Sequence, residues 1–149
     1  MPVSSYGAQH WAGLMVGLTG MLPTSYYVAL INDEPGEGWD GTALQTLEPP
    51  QLVSSTTYDR PALALGSGTW AMADAGYAVC TTQLNWAQLP DVDWGSLPYF
   101  AICDDHLAGN LWAWDAFTEP LTITAGSTVS IPAGSISIEL ASLLPSIAE

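Results

Sequence analysis

Apolar and polar positions alternate most regularly in the last third of this chain. Leu121 and Ile123, Val129 and Ile131, and Ile136, Ile138 and Leu140 are separated by single Thr, Ser or Glu residues. This period of two, interrupted by Ala125-Gly126 and by Pro132-Ala133-Gly134, predicts antiparallel strands with one buried face. Ile123, Val129, Ile131, Ile136 and Ile138 are the expected core. Two further apolar runs, Tyr99–Cys103 and Leu111–Asp115, flank an Asp104–Asn110 turn. Tyr26–Ile31 is apolar at both parities, the pattern of a strand covered on both sides.

The rest of the chain continues the pattern with shorter pieces. Residues 1–9 are small and polar and read as an N-terminal arm. His10–Leu18 predicts a short helix, with Trp11, Leu14, Met15 and Leu18 on one stripe and Gly20 near its end. Thr42–Thr57, with Pro49-Pro50, reads as an extended surface excursion. Ala62–Leu65, Thr69–Met72, Tyr77–Thr81 and Gln83–Trp86 are short strands, and residues 142–149 form a C-terminal tail. Roughly ten strands at regular spacing predict a mainly β fold, an antiparallel β-sandwich or jelly-roll-like barrel with a short N-terminal helix. A chain of 149 residues forms one such domain, over residues 10–141.

Charge changes the picture more than length does. Fifteen carboxylates face one base, Arg60, and there is no lysine. Nonspecific nucleic-acid affinity comes from Lys and Arg on phosphates, so neither nucleic acid nor an anionic membrane surface is an expected partner. Arg60 is expected to take a cross-strand carboxylate and fix a corner of the fold. Cys80 and Cys103 each sit in an apolar run and read as buried thiols. No basic segment precedes an apolar one at the N-terminus, and Trp11–Leu22 is too short to span a bilayer. Synthesis in a cytoplasm as a soluble protein is the expectation.

Candidate chemistry is sparse. Nucleophilic catalysis needs a Ser, Cys or Thr beside an oriented base, and the two imidazoles are His10, near a helix start, and His106, in a turn. Asp104, Asp105 and His106 are consecutive, so their side chains diverge, and a turn bonded to its own backbone explains them without a metal. Asp33, Glu34, Glu37 and Asp40 form an acidic loop whose spacing matches no EF-hand, so it reads as solvated. A small hydrolase would need these acidic loops to converge into a pocket. No catalytic residue, cofactor or metal is therefore expected. Seven Trp and six Tyr against two Phe are the compositional excess, suited equally to interfaces and to sugar platforms.

The order of these pieces resembles a group of small bacteriophage virion proteins, tail-fibre-like or minor structural proteins. The resemblance rests on Leu18-Thr-Gly20, Tyr27-Val-Ala-Leu30 with Asn32-Asp-Glu-Pro-Gly36, and Tyr58-Asp-Arg60. It continues through Ile102-Cys-Asp104, Gly109-Asn-Leu111, Pro120–Thr124, Ala125-Gly126 and Ala133–Leu140. It implies a virion structural protein assigned either to the capsid surface or to the tail. The expected role is a capsid decoration (cement) protein on the head exterior, a homotrimer clamping the phage major capsid protein. The alternative is a tail fibre or baseplate module that binds host surface glycan. Tyr6, Trp11, Met15 and Trp39 lie outside the main strand set and are the candidate interface residues.

Overall fold

The computed structural model describes residues 3–17, 23–36, 38–49, 57–74 and 77–139. It is a mainly β, antiparallel sandwich with one longer helix, α1 (Ser5–Met15). The largest sheet joins β1 (Ser25–Ile31), β2 (Ala62–Ala64), β6 (Gly95–Cys103) and β7 (Leu111–Ile123) in the order β2-β1-β6-β7. Facing it are a sheet of β3 (Trp70–Asp74), β4 (Tyr77–Cys80) and β9 (Ser137–Glu139), and a pair of β5 (Leu84–Asn85) with β8 (Ser130–Ile131).

β1 is covered on both faces, as its two apolar parities predict. Tyr26, Val28 and Leu30 join Leu97, Phe100, Ile102 and Trp112 in the main core, against Cys80, Leu84, Trp86, Val129, Ile131 and Ile136. Ala29 and Ile31 face the other way, with Ala101, Cys103, Leu111 and Trp114, under Leu44. Burying an apolar side chain is worth roughly 1.5–3 kcal/mol. A strand that buries both faces is therefore the natural centre of the fold.

Four expectations are corrected. The helix begins at Ser5, not His10, so that Ser5–Gln9 of the expected arm are helical. Ser4 explains the early start: its hydroxyl accepts from Gly7 N at 2.9 Å and donates to the Leu111 carbonyl, while its amide donates to Trp112 O. Val3 adds a single bridge to Ala113. The excursion expected over residues 42–57 is instead a helical turn, α2 (Gly41–Leu44), running into a 3-10 turn (Gln45–Leu47). Asp40 caps it through Ala43 N at 2.8 Å, and buried Leu44 anchors it. Residues 50–56 of that stretch lie outside the described residues.

The run expected over Leu111–Asp115 and the one holding Leu121 and Ile123 are not separate strands, because β7 runs through to Ile123. Its register on β6 jumps from Tyr99↔Ala116 to Leu97↔Leu121, so Phe117–Pro120 bulge opposite Pro98, which has no N–H to pair. Finally, Ile138 is half-buried whereas Ile123, Val129, Ile131 and Ile136 are buried as expected. The C-terminal tail at 142–149 lies outside the described residues.

Candidate functional site

The chain's single cation is at the centre of its most heavily bonded cluster. Arg60 is 3 % exposed and all five of its N–H groups are engaged. Nε and one Nη2 hydrogen go to Glu48, at 3.0 and 2.5 Å. The other Nη2 hydrogen reaches Gly41 O at 2.9 Å, and Nη1 donates to Ala108 O at 2.9 Å and Asp105 O at 3.2 Å. The carboxylate partner expected for Arg60 is thus Glu48, contributed by the turn after α2 rather than by a strand. Burial by itself would lower the guanidinium's pKa, but hydrogen bonding to Glu48, the nearby Cys103 and the charge of Glu48 hold it above its ordinary value.

Tyr58 completes the cluster. Its hydroxyl donates to Glu48 Oε2 and accepts from Leu30 N at 3.1 Å, and its ring meets Trp94 edge-on. Burial, then the charge of Glu48, pushes its pKa well above normal. Cys103 nearby is a free thiol that burial pushes up to about 12, and Cys80 is likewise free and buried. Held protonated and out of solvent, Cys103 is not available as a nucleophile near neutral pH.

The turn that Arg60 grips is the one holding His106. Asp104 Oδ1 accepts from Asn110 N at 2.7 Å, and Oδ2 accepts from Asn110 Nδ2 at 2.9 Å and Trp112 Nε1 at 3.2 Å. The Asp104 side chain therefore serves its own turn. His106 is exposed, 3.4 Å from Asp59 and 3.9 Å from Asp105. A cleft of about 110 Å³ lies between them over the arginine, walled by Gln45, Tyr58 and Leu107. His10 stacks on Tyr6 at 4.1 Å, at the other end of a row of rings around Trp112. In the acidic loop Asp33 accepts from Glu34 N, Glu34 from Trp114 Nε1, and Asp40 caps α2. Glu37 lies outside the described residues. Among the described residues no three metal-ligating side chains converge.

The candidate interface residues separate into two kinds. Tyr6 and Trp11 lie half-buried on the main core, each edge-on to Trp112 at 5.4 and 6.4 Å. Trp39 packs against the second cluster beside Gly36. Met15, by contrast, is 67 % exposed, and Val16 beside it is 69 % exposed. The tryptophan excess is packing: none of the seven is exposed, and Trp86, Trp94, Trp112 and Trp114 are buried. Sequence reasoning missed Glu48 and Gly41. The first sits in a stretch without periodicity, and the second reads as an ordinary turn glycine.

The profile described as podophage GP4 fiber I protein gp80 matches residues 2–139. The chain belongs to this family. It is a phage virion structural protein. No curated protein matches it. The matched span includes all the described strands and every residue of the Arg60 cluster. No helix among the described residues is long and apolar enough to cross a membrane.

Proposed function

We propose that this chain is a subunit of a virion fibre, assembled with copies of itself into a trimer and acting by surface contact without a catalytic step. The observation that carries the reading is the family match over nearly the whole chain, to a family described as a fiber protein. Two features of the molecule support it. The only Lys or Arg is buried and fully bonded, so the exterior has no fixed side-chain cation with which to hold nucleic acid. The exposed apolar pair Met15 and Val16 gives α1 an uncharged contact at its C-terminal end, next to the partly engaged rings of Tyr6 and Trp11.

The experiment is immunogold labelling of intact virions, with mass-spectrometric copy number relative to the major capsid protein. Label on fibres and a low copy number are expected. Label spread across the head, at a stoichiometry near that of the major capsid protein, would replace this reading with head decoration. Light scattering of the isolated chain tests the trimer.

A further inference from the structure

The two layers of the sandwich each leave an edge strand on the same cleft. β2 is an edge of the four-stranded sheet, and β5 is an edge of its pair with β8. A cleft of about 330 Å³ is lined by Asp59, Pro61 and Ala62 from the β2 side and by Asn85, Trp86 and Gln88 from the β5 side. α1 packs on β7, at the opposite edge of the larger sheet, so this cleft is away from Met15 and Val16.

In an antiparallel ladder, residues alternate between turning both main-chain groups to the partner strand and turning both away. Val28 N donates to Pro61 O at 3.1 Å, so Pro61 faces β1 and its neighbour Ala62 faces out. Trp70 Nε1, reaching Ala64 O at 3.0 Å, fits the same alternation. Trp86 N donates to Val129 O at 3.0 Å, so Trp86 faces β8 and Asn85 faces out. Among the described residues the outward N–H and C=O of Ala62 and Asn85 have no partner. A strand residue fills roughly 160 Å³ at the spacings of packed sheets, so the cleft holds about two of them. That matches the edges, which are three residues long in β2 and two in β5.

We propose that an extended segment of a different protein, carrying Lys or Arg, adds a short strand here. Its main chain pairs with Ala62 and Asn85, and its cation meets Asp59. Charge decides the occupant. The Asp59 side chain is 69 % exposed on a molecule whose net charge is −14. A second copy has its only Lys or Arg buried and brings an equal negative charge. A basic partner turns that repulsion into attraction.

The probe is the blocked peptide Ac-Val-Arg-Val-Arg-Val-NH2, titrated into the isotope-labelled intact chain and followed by NMR at the Ala62 and Asn85 amides. Both signals are expected to shift at millimolar peptide and both amides to exchange more slowly with solvent. Affinity should fall several-fold as salt is raised and in Asp59→Asn, which keeps an acceptor for Arg60 N. A backbone N-methylated form of the peptide, which keeps the charge and loses main-chain donors, should leave both amides unmoved. Silence of both amides with the Arg peptide would overturn the proposal. So would equal binding of the N-methylated form, or of the peptide with Glu in place of Arg. Movement of the same amides when the chain alone is concentrated would assign the edge to a second copy instead.

Discussion

Arg60 can be withdrawn from water because every one of its donors has a partner. Breaking a buried pair by removing one member leaves an uncompensated charge, at roughly 3–5 kcal/mol. Arg60→Met should lose that much in urea unfolding, with Glu48 left buried. Adding Glu48→Leu should recover only part of it, since the carbonyls of Gly41, Asp105 and Ala108 still lose their donor. Full recovery in the double variant would show that those carbonyls find other partners. Cys103 and Tyr26 make a second prediction, about pH. Burial first, and for Tyr26 the charge of Asp104 next, raises each to about 12, from 9.0 and 10.0. The unfolded chain therefore gives up these protons first as pH rises. Their contribution to stability is whole below about pH 9 and is lost between there and pH 12. The urea midpoint should fall across that window, and a flat midpoint would contradict it.

At the scale of elements, α1 is held by close backbone approach as much as by its rings. A Cβ on Gly7 would lie 2.4 Å from Trp112 O, and one on Gly41 would lie 1.8 Å from Ala108 O. Both oxygens belong to backbone that other bonds fix. Gly7→Ala should lift α1 from β7 at a cost of about 1–3 kcal/mol, read as a lower thermal midpoint with a shifted Trp emission. Ser4→Ala removes the cap and the bond to Leu111, for about 1–2 kcal/mol. Deleting residues 1–9 would thus unseat a structural helix, so point changes at Met15 and Val16 are the cleaner probe of contact between copies. In the second sheet, Ile136→Ala should cost on the order of 2–5 kcal/mol. Ile138→Ala should cost less, because its side chain is only half-buried.

For the whole molecule, the burial of Arg60 with Glu48 neutralises one carboxylate internally and leaves fourteen of the fifteen with no Lys or Arg to pair with. Two copies cannot form an Arg- or Lys-carboxylate bridge across their exteriors. Contact between them is opposed by like charge, which salt screens within about 10 Å at 0.1 M. Self-association should therefore strengthen as salt rises, the reverse of an interface built on ion pairs. Sedimentation velocity at several salt concentrations checks this. Dissociation with added salt would point to pairing through the imidazoles or the chain terminus.

The sequence by itself determined the fold class, the double cover on β1 and, in the last third, the burial of Ile123, Val129, Ile131 and Ile136 but not of Ile138. A period of two and a run apolar at both parities are local statements about which faces leave water. It also determined the charge that the chain itself carries, since one arginine among fifteen carboxylates is a matter of counting. The tertiary structure alone decided where Arg60 goes, because Glu48, Gly41 and Ala108 are far from it in sequence and meet it only once β1, β6 and β7 have paired. The start of α1 at Ser5 was decided the same way. Its cap donates to Leu111, more than a hundred residues away, and no local pattern encodes that bond. The role of the tryptophans was likewise a tertiary matter: an indole suits an interface and a core equally, and only packing against Tyr58, Trp112 or Leu44 chooses between them.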